Sequence, residues 1–171
     1  MRTTTFILAM IAAMFTLSAS EVNLIKNGDF AEGGKHWMLL KGAKVNSDVK
    51  ADGKNSVVIT KGQQVIQNVT VDPQADYLLT FKMKGENIAR GKHGQGARII
   101  IRGGKRYGRG TADPKGNSMT GTFDWKAGKI LLKGSYFQSN KLVFTMHLDT
   151  EGTCYFADFK LVKVAAEKKS E

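Results

Sequence analysis

Cysteine is nearly missing from this sequence: Cys154 is the only one. No internal disulfide can form, so stability must come from packing or from a bound metal. Helical periodicity is almost absent beyond the first twenty residues, and no internal repeat is visible. Acidic residues are few, 15 Asp plus Glu against 26 Lys plus Arg, and they scatter through turn-like stretches. No pair of carboxylates therefore stands out as the acid and base of a glycoside hydrolase. There is no nucleophile elbow, no phosphate-binding loop and no histidine cluster with zinc spacing.

What is present begins with a segment unlike the rest. Arg2 is followed by an apolar run over residues 6–17 and by Ser18-Ala19-Ser20. That is the layout of a secretory signal peptide, with the mature chain starting near Glu21. The run is shorter than the roughly 20 residues needed to span a bilayer as a helix, and no cysteine at the cleavage region indicates a lipid anchor; an uncleaved anchor is the alternative. About 150 residues remain, enough for one domain with one core. Removing residues 1–20 takes away only Arg2, so a surplus of about ten positive charges stays with the folded part. Such a surplus favours anionic partners: acidic glycans, nucleic acid or a membrane surface. An exported protein meets acidic glycans most readily; simple solubility is the competing explanation.

Short apolar or alternating runs recur at 56–60, 64–71, 77–84, 97–102, 129–132, 141–148 and 154–164, separated by Gly, Asn, Asp and Pro. Many strands at close spacing with turn signals between them predict an all-β sandwich or barrel. Asp72-Pro73-Gln74 reads as a turn. The segment 85–121 is crowded with glycine and cations and holds one strand-like run, 97–102, so the rest is expected as surface loops that could carry a site. The last residues, 165–171, read as a solvated basic tail.

Four stretches follow one another in a set order: NLIKNGDFAEGGKHW at 23–37, QQVIQNVTVDPQADYLLTFKMKGEN at 63–87, TGTFDWKAGKILLKG at 120–134 and GTCYFADFKLVKV at 152–164. The set resembles the secreted carbohydrate-binding modules of the galactose-binding-like jelly-roll class, of the family 4, 16 and 22 kind, over residues 21–164. The resemblance implies a jelly-roll β-sandwich that binds a polysaccharide. It implies that Trp37 and Trp125 belong to the core. It also implies a structural calcium between the loop at 27–37 and the last strand, with Asp29, Glu32 and Asp158 as candidate ligands. This chain departs from the family pattern at Ala31 and Ala157, where acidic residues are common. The alternative is that Asp29 and Asp158 serve only turn amides.

Sugar recognition needs flat apolar surface for ring faces and polar groups for hydroxyls. Phe81 and Met83 alternate with Lys82 and Lys84, which places the lysines on a wet face. Arg98 and Arg102 share a face with Ile100, and either form a cationic strip that pairs with carboxylate or sulfate or a merely solvated sheet surface. His147 is a candidate to join them, with Val143 and Thr145 on its side of the strand. Tyr107, set among Lys105, Arg106 and Arg109, is the aromatic best placed to stack on an acidic sugar, with Tyr136-Phe137 the next choice. Tyr77 and Phe81 read as core, and Asn68-Val69-Thr70 fits a glycosylation sequon. The binding set is thus Tyr107, Arg98, Arg102, Lys82, Lys84 and His147.

Three functions compete. The first is a non-catalytic module for an anionic polysaccharide, monomeric or part of a surface assembly. The second is a small polysaccharide lyase, with Arg98 or Arg102 neutralising a uronate and His147 or Tyr107 transferring a proton. The third is a structural or adhesive surface protein with this fold and no defined sugar site. Nucleic acid is disfavoured, because the Gly/Arg segment matches single-strand binders in composition only and the chain carries an export signal.

Overall fold

The computed structural model describes residues 22–93, 95–103, 108–113 and 117–164. The segment expected to direct export, 1–20, and the tail at 165–171 lie outside the described residues. Ten strands follow in chain order: β1 (Met38–Leu40), β2 (Lys44–Ala51), β3 (Lys54–Thr60), β4 (Gln64–Thr70), β5 (Tyr77–Ile88), β6 (Ala97–Arg102), β7 (Gly108–Gly110), β8 (Gly121–Leu132), β9 (Lys141–Leu148) and β10 (Thr153–Lys163). One 3-10 turn, Gly134–Tyr136, is the sole helical piece among the described residues. The strands make two five-stranded sheets, ordered β1-β4-β9-β6-β7 and β2-β3-β10-β5-β8. Every pairing is antiparallel. The sheets close over one apolar core. This is a jelly-roll β-sandwich, as expected.

Alternation builds the core. In β5, Tyr77, Leu79, Phe81 and Met83 are buried, while Thr80, Lys82 and Lys84 take the opposite face. In β9, Leu142, Phe144, Met146 and Leu148 are buried, and in β6 Ala97, Ile99 and Ile101 are. Side chains of period two put one face of each sheet inside and leave the other to water. Each of the seven expected runs is a strand or part of one. The sequence pattern missed β1, β2 and β7, and it found only the end of β8. The first two are short or polar, Met38-Leu39-Leu40 and KVNSDVKA, and gain strand geometry from their neighbours rather than from their own periodicity. The glycine-rich segment is correspondingly less loop-like than expected: β5 runs on to Ile88, β7 adds to the sheet edge, and Met119 bridges to Ala97.

Two aromatic assignments change. Trp125 is half-buried and lies outside the core cluster, whereas Phe123 packs against it. Met83 pairs with Lys126 and Gly85 with Phe123, so two steps along β5 match three along β8. Gly128, Ile130 and Leu132 face inward opposite Phe81, Leu79 and Tyr77, which puts Trp125 on the outer parity, and the extra residue brings Phe123 inward instead. Phe137, expected in a turn open to ligand, is buried with its ring 6.0 Å from that of Tyr77.

The opening stretch at 23–37 clamps the N-terminus to β10. Asn23 Oδ1 accepts from the Leu161 amide at 2.8 Å, and the Leu24 amide donates to the Leu161 carbonyl at 2.9 Å. The Phe159 amide donates to the Gly28 carbonyl at 2.9 Å. A β-carbon on Gly28 would run into the Phe159 carbonyl, so only glycine allows this approach. Trp37 is buried as expected, with its ring 5.3 Å from Phe30 and 5.6 Å from Phe159, and its indole N–H donates to the Asn27 carbonyl at 3.0 Å.

Candidate functional site

The outward face of the β1-β4-β9-β6 sheet gathers much of the expected binding set. Cross-strand register aligns three rows on it. Leu40, Gln64, His147 and Arg98 form the first, and Met38, Ile66, Thr145 and Ile100 the second. Asn68, Val143 and Arg102 form the third. An aliphatic band, interrupted by the buried Thr145, is thus flanked by polar and cationic rows, and four strands at their normal spacing carry it over about 15 Å. Met38 and Leu40 are exposed at its β1 end. Arg102 Nη1 donates to Thr145 Oγ1 at 3.2 Å, which ties the third row to the band.

Arg98 and His147 converge on a residue that the sequence reading passed over. Asp149, two positions beyond His147 and so on the same side of the chain, ion-pairs with Arg98 Nη2 and meets His147 Nε2. Gln64 Nε2 lies 3.4 Å from His147 Nδ1. A neutral His147 with its proton on Nε2 satisfies both contacts, donating to Asp149 and accepting from Gln64. The Arg98 side chain is only 11% exposed. Its charge is met within the protein, so the expected cationic strip is compensated at its Arg98 end.

Beside Arg98 the face runs into a cleft of about 550 Å³, bounded by residues 91–93, Gln95, Arg98, Ser118, Asp149 and Thr150. Backbone hydrogen bonds hold its walls: Gly91 to Gln95 at 2.9 Å, Ala89 to Glu151 at 2.8 Å, and Ala97 with Met119 at 2.9 and 3.0 Å. None of these wall residues except Arg98 belonged to the expected set. Loop residues without a periodic pattern give no advance sign of what they will enclose.

The remaining expected residues lie elsewhere. Lys82 and Lys84 stand on β5, in the opposite sheet, where they pair with Asp52 and Asp124. They cannot share a ligand with Arg98 and Arg102, because the core separates the two outer faces. Alternation correctly put them in water, but it could not say on which sheet. Tyr107 lies outside the described residues.

The expected calcium ligands are separately engaged. Asp29 Oδ1 accepts from the Ala31 amide at 3.2 Å, and Glu32 pairs with Lys35. Asp158, at φ 52° in the β10 bulge, takes the Lys54 ammonium at 2.6 Å. Among the described residues no three His, Cys, Asp or Glu side chains come together. Calcium takes six to eight oxygens, and these residues do not fit such a cage. The corner has an ammonium on Asp158 where the resemblance implied an ion.

No protein-family model and no curated protein matches the sequence. Solved structures do match in fold. A family 16 carbohydrate-binding module superposes with a TM-score of 0.60 at 21% identity, covering 82% of this chain and 99% of that one. A family 61 module solved in complex with β-1,4-galactotriose gives 0.54 at 19%, covering 84% and 99%. A family 22 xylan-binding domain from Paenibacillus barcinonensis gives 0.60 at 14%, covering 85% and 97%. The chain therefore has the fold of these modules.

Proposed function

We propose that this chain is an exported, non-catalytic carbohydrate-binding domain whose ligand is an acidic polysaccharide lying across the outward face of the β1-β4-β9-β6 sheet. The observation that carries it is the row arrangement: an aliphatic band of Met38, Ile66 and Ile100 edged by Gln64, His147 and Arg98 on one side and Asn68 and Arg102 on the other. Sugar rings present C–H faces to such a band and hydroxyls to its borders. Sharing a fold with modules described as xylan-binding or galactotriose-bound adds support. The acidic preference rests on the surplus of about ten positive charges outside residues 1–20 and on Arg102 at the border. Export rests on the sequence of residues 1–20.

Affinity electrophoresis against neutral and acidic polysaccharides, at low and moderate salt, tests the reading. One acidic polymer should retard the protein selectively, and Arg102→Ala should weaken that retardation. Equal retardation by every polyanion, abolished by salt, would reduce the binding to bulk charge. A second reading, a lyase for uronic-acid polymers, draws on the contact of His147 with Asp149 beside Arg98. Incubation with alginate, pectin and heparin, followed by ultraviolet absorbance, should show no unsaturated ends if the domain only binds.

A further inference from the structure

We infer that the cleft beside Arg98 binds one sugar unit at the end of an acidic glycan chain, reading its hydroxyls through Arg98, Asp149 and Thr150; the inference rests on the carbohydrate reading above. Two buried side-chain atoms, Arg98 Nε and Thr150 Oγ1, find no partner in the protein, and Asp149 Oδ2 meets only the ion-paired Arg98 Nη2. All three residues line this one cleft. Buried polar atoms are otherwise almost always partnered, so two in one wall beside an ion pair mark a place built for a polar ligand.

Their chemistry selects the ligand. The guanidinium N–H only donates, the carboxylate oxygen only accepts, and the threonine hydroxyl does either. Neighbouring sugar hydroxyls match this set, one accepting from Arg98 Nε while another donates to Asp149 Oδ2. A bare sulfate cannot donate to Asp149 and is repelled by it. Lys92 and His93 are exposed on the same cleft. With Arg98 balanced by Asp149, Lys92 leaves one net positive charge there, which suits a sugar carboxylate. The volume falls within the usual range for small-molecule sites, about 300–1,000 Å³.

Position argues for a chain end. The cleft lies past the paired ends of β6 and β9, walled by residues 91–93 and Gln95, by Ser118 ahead of β8, and by Asp149 and Thr150 of the β9–β10 turn. It adjoins the Arg98 end of the polar row that borders the aliphatic band, within reach of a chain that ends on that face. The hydrogen bonds tying those walls mean that little reorganisation is needed on binding.

The test is a nitrogen-15 NMR titration of the chain with D-glucuronate, D-galacturonate, D-glucose and sodium sulfate, following the Arg98 Nε–H signal. A uronate should shift that signal and the Thr150 amide, and sulfate should not. Thr150→Val, nearly isosteric, should weaken uronate binding about tenfold, and Asp149→Asn should weaken it further. Equal response to sulfate overturns the inference in favour of a plain anion site. If no monosaccharide moves Arg98 although an acidic polymer retards the protein on gels, the cleft is not the reader, and the carbohydrate reading stands without it. If no polymer is retained either, both fail.

Discussion

Asn27 shows how much one side chain organises. It adopts φ 50°, a left-handed conformation that asparagine tolerates better than most residues. Its amide donates to the carbonyls of Gly33 and Lys35 at 2.9 and 3.0 Å, and its Oδ1 accepts from the Glu32 amide at 3.0 Å. The loop around Trp37 is therefore wound about this residue. Asn27→Ala removes three hydrogen bonds of about 1 kcal/mol each and adds the left-handed cost of roughly 1 kcal/mol. Partial exposure reduces the sum, and we expect a loss of about 2–3 kcal/mol. Thermal unfolding should fall by several degrees, at about 2–4 °C per kcal/mol for a domain of this size. A midpoint within a degree of the parent's would mean that the loop is held by its aromatic packing alone.

Among the elements, β10 is the one on which both the N-terminal corner and the opposite sheet edge depend. It pairs with β3 on one side and β5 on the other, and its bulge between Ala157 and Lys160 turns Phe159 into the aromatic cluster. The bulge leaves Asp158 at the surface of that corner, and Lys54 from the neighbouring β3 reaches it. An ammonium supplied by the chain thus meets the charge of Asp158. Millimolar calcium and a chelator should both leave the unfolding midpoint unchanged, while Lys54→Met should lower stability by up to about 1 kcal/mol. A calcium-dependent rise reversed by chelator would show that backbone oxygens hold an ion there after all.

For the molecule as a whole, acid should act through its turn carboxylates. The Gln74 amide and then Lys163 hold the Asp72 carboxyl below the usual carboxylate range. Lys133 and the Gly134 amide do the same for Asp76. These groups tie the β4–β5 turn to the ends of β10 and β8. A carboxyl with a lowered folded value stabilises fully above its unfolded value and loses that contribution as pH falls through the folded one. Stability should therefore be level near neutrality and decline once pH drops below about 4. Asp76→Asn should flatten the decline, which melting curves from pH 7 to pH 2 would reveal. An unchanged acid slope would assign the loss to other carboxylates.

The sequence by itself determined the local pattern. Apolar residues at every second position of β5, β6 and β9 placed Phe81, Ile99 and Phe144 inside and Lys82, Arg98 and His147 outside, because a strand turns successive side chains to opposite faces. The order of the four quoted stretches was enough for the sandwich and for the buried Trp37. Tertiary structure alone decided the rest. Which sheet a wet face belongs to follows from long-range pairing, so Lys82 and Lys84 parted from Arg98 and Arg102. The pairing of β8 with β5 set Gly128 and Ile130 inward and so left Trp125 outside, and a single extra residue reversed the alternation to bring Phe123 in, which composition does not reveal. Asp149 became the partner of Arg98, and Lys54 that of Asp158, because charges from distant parts of the chain meet only once the sheets have closed.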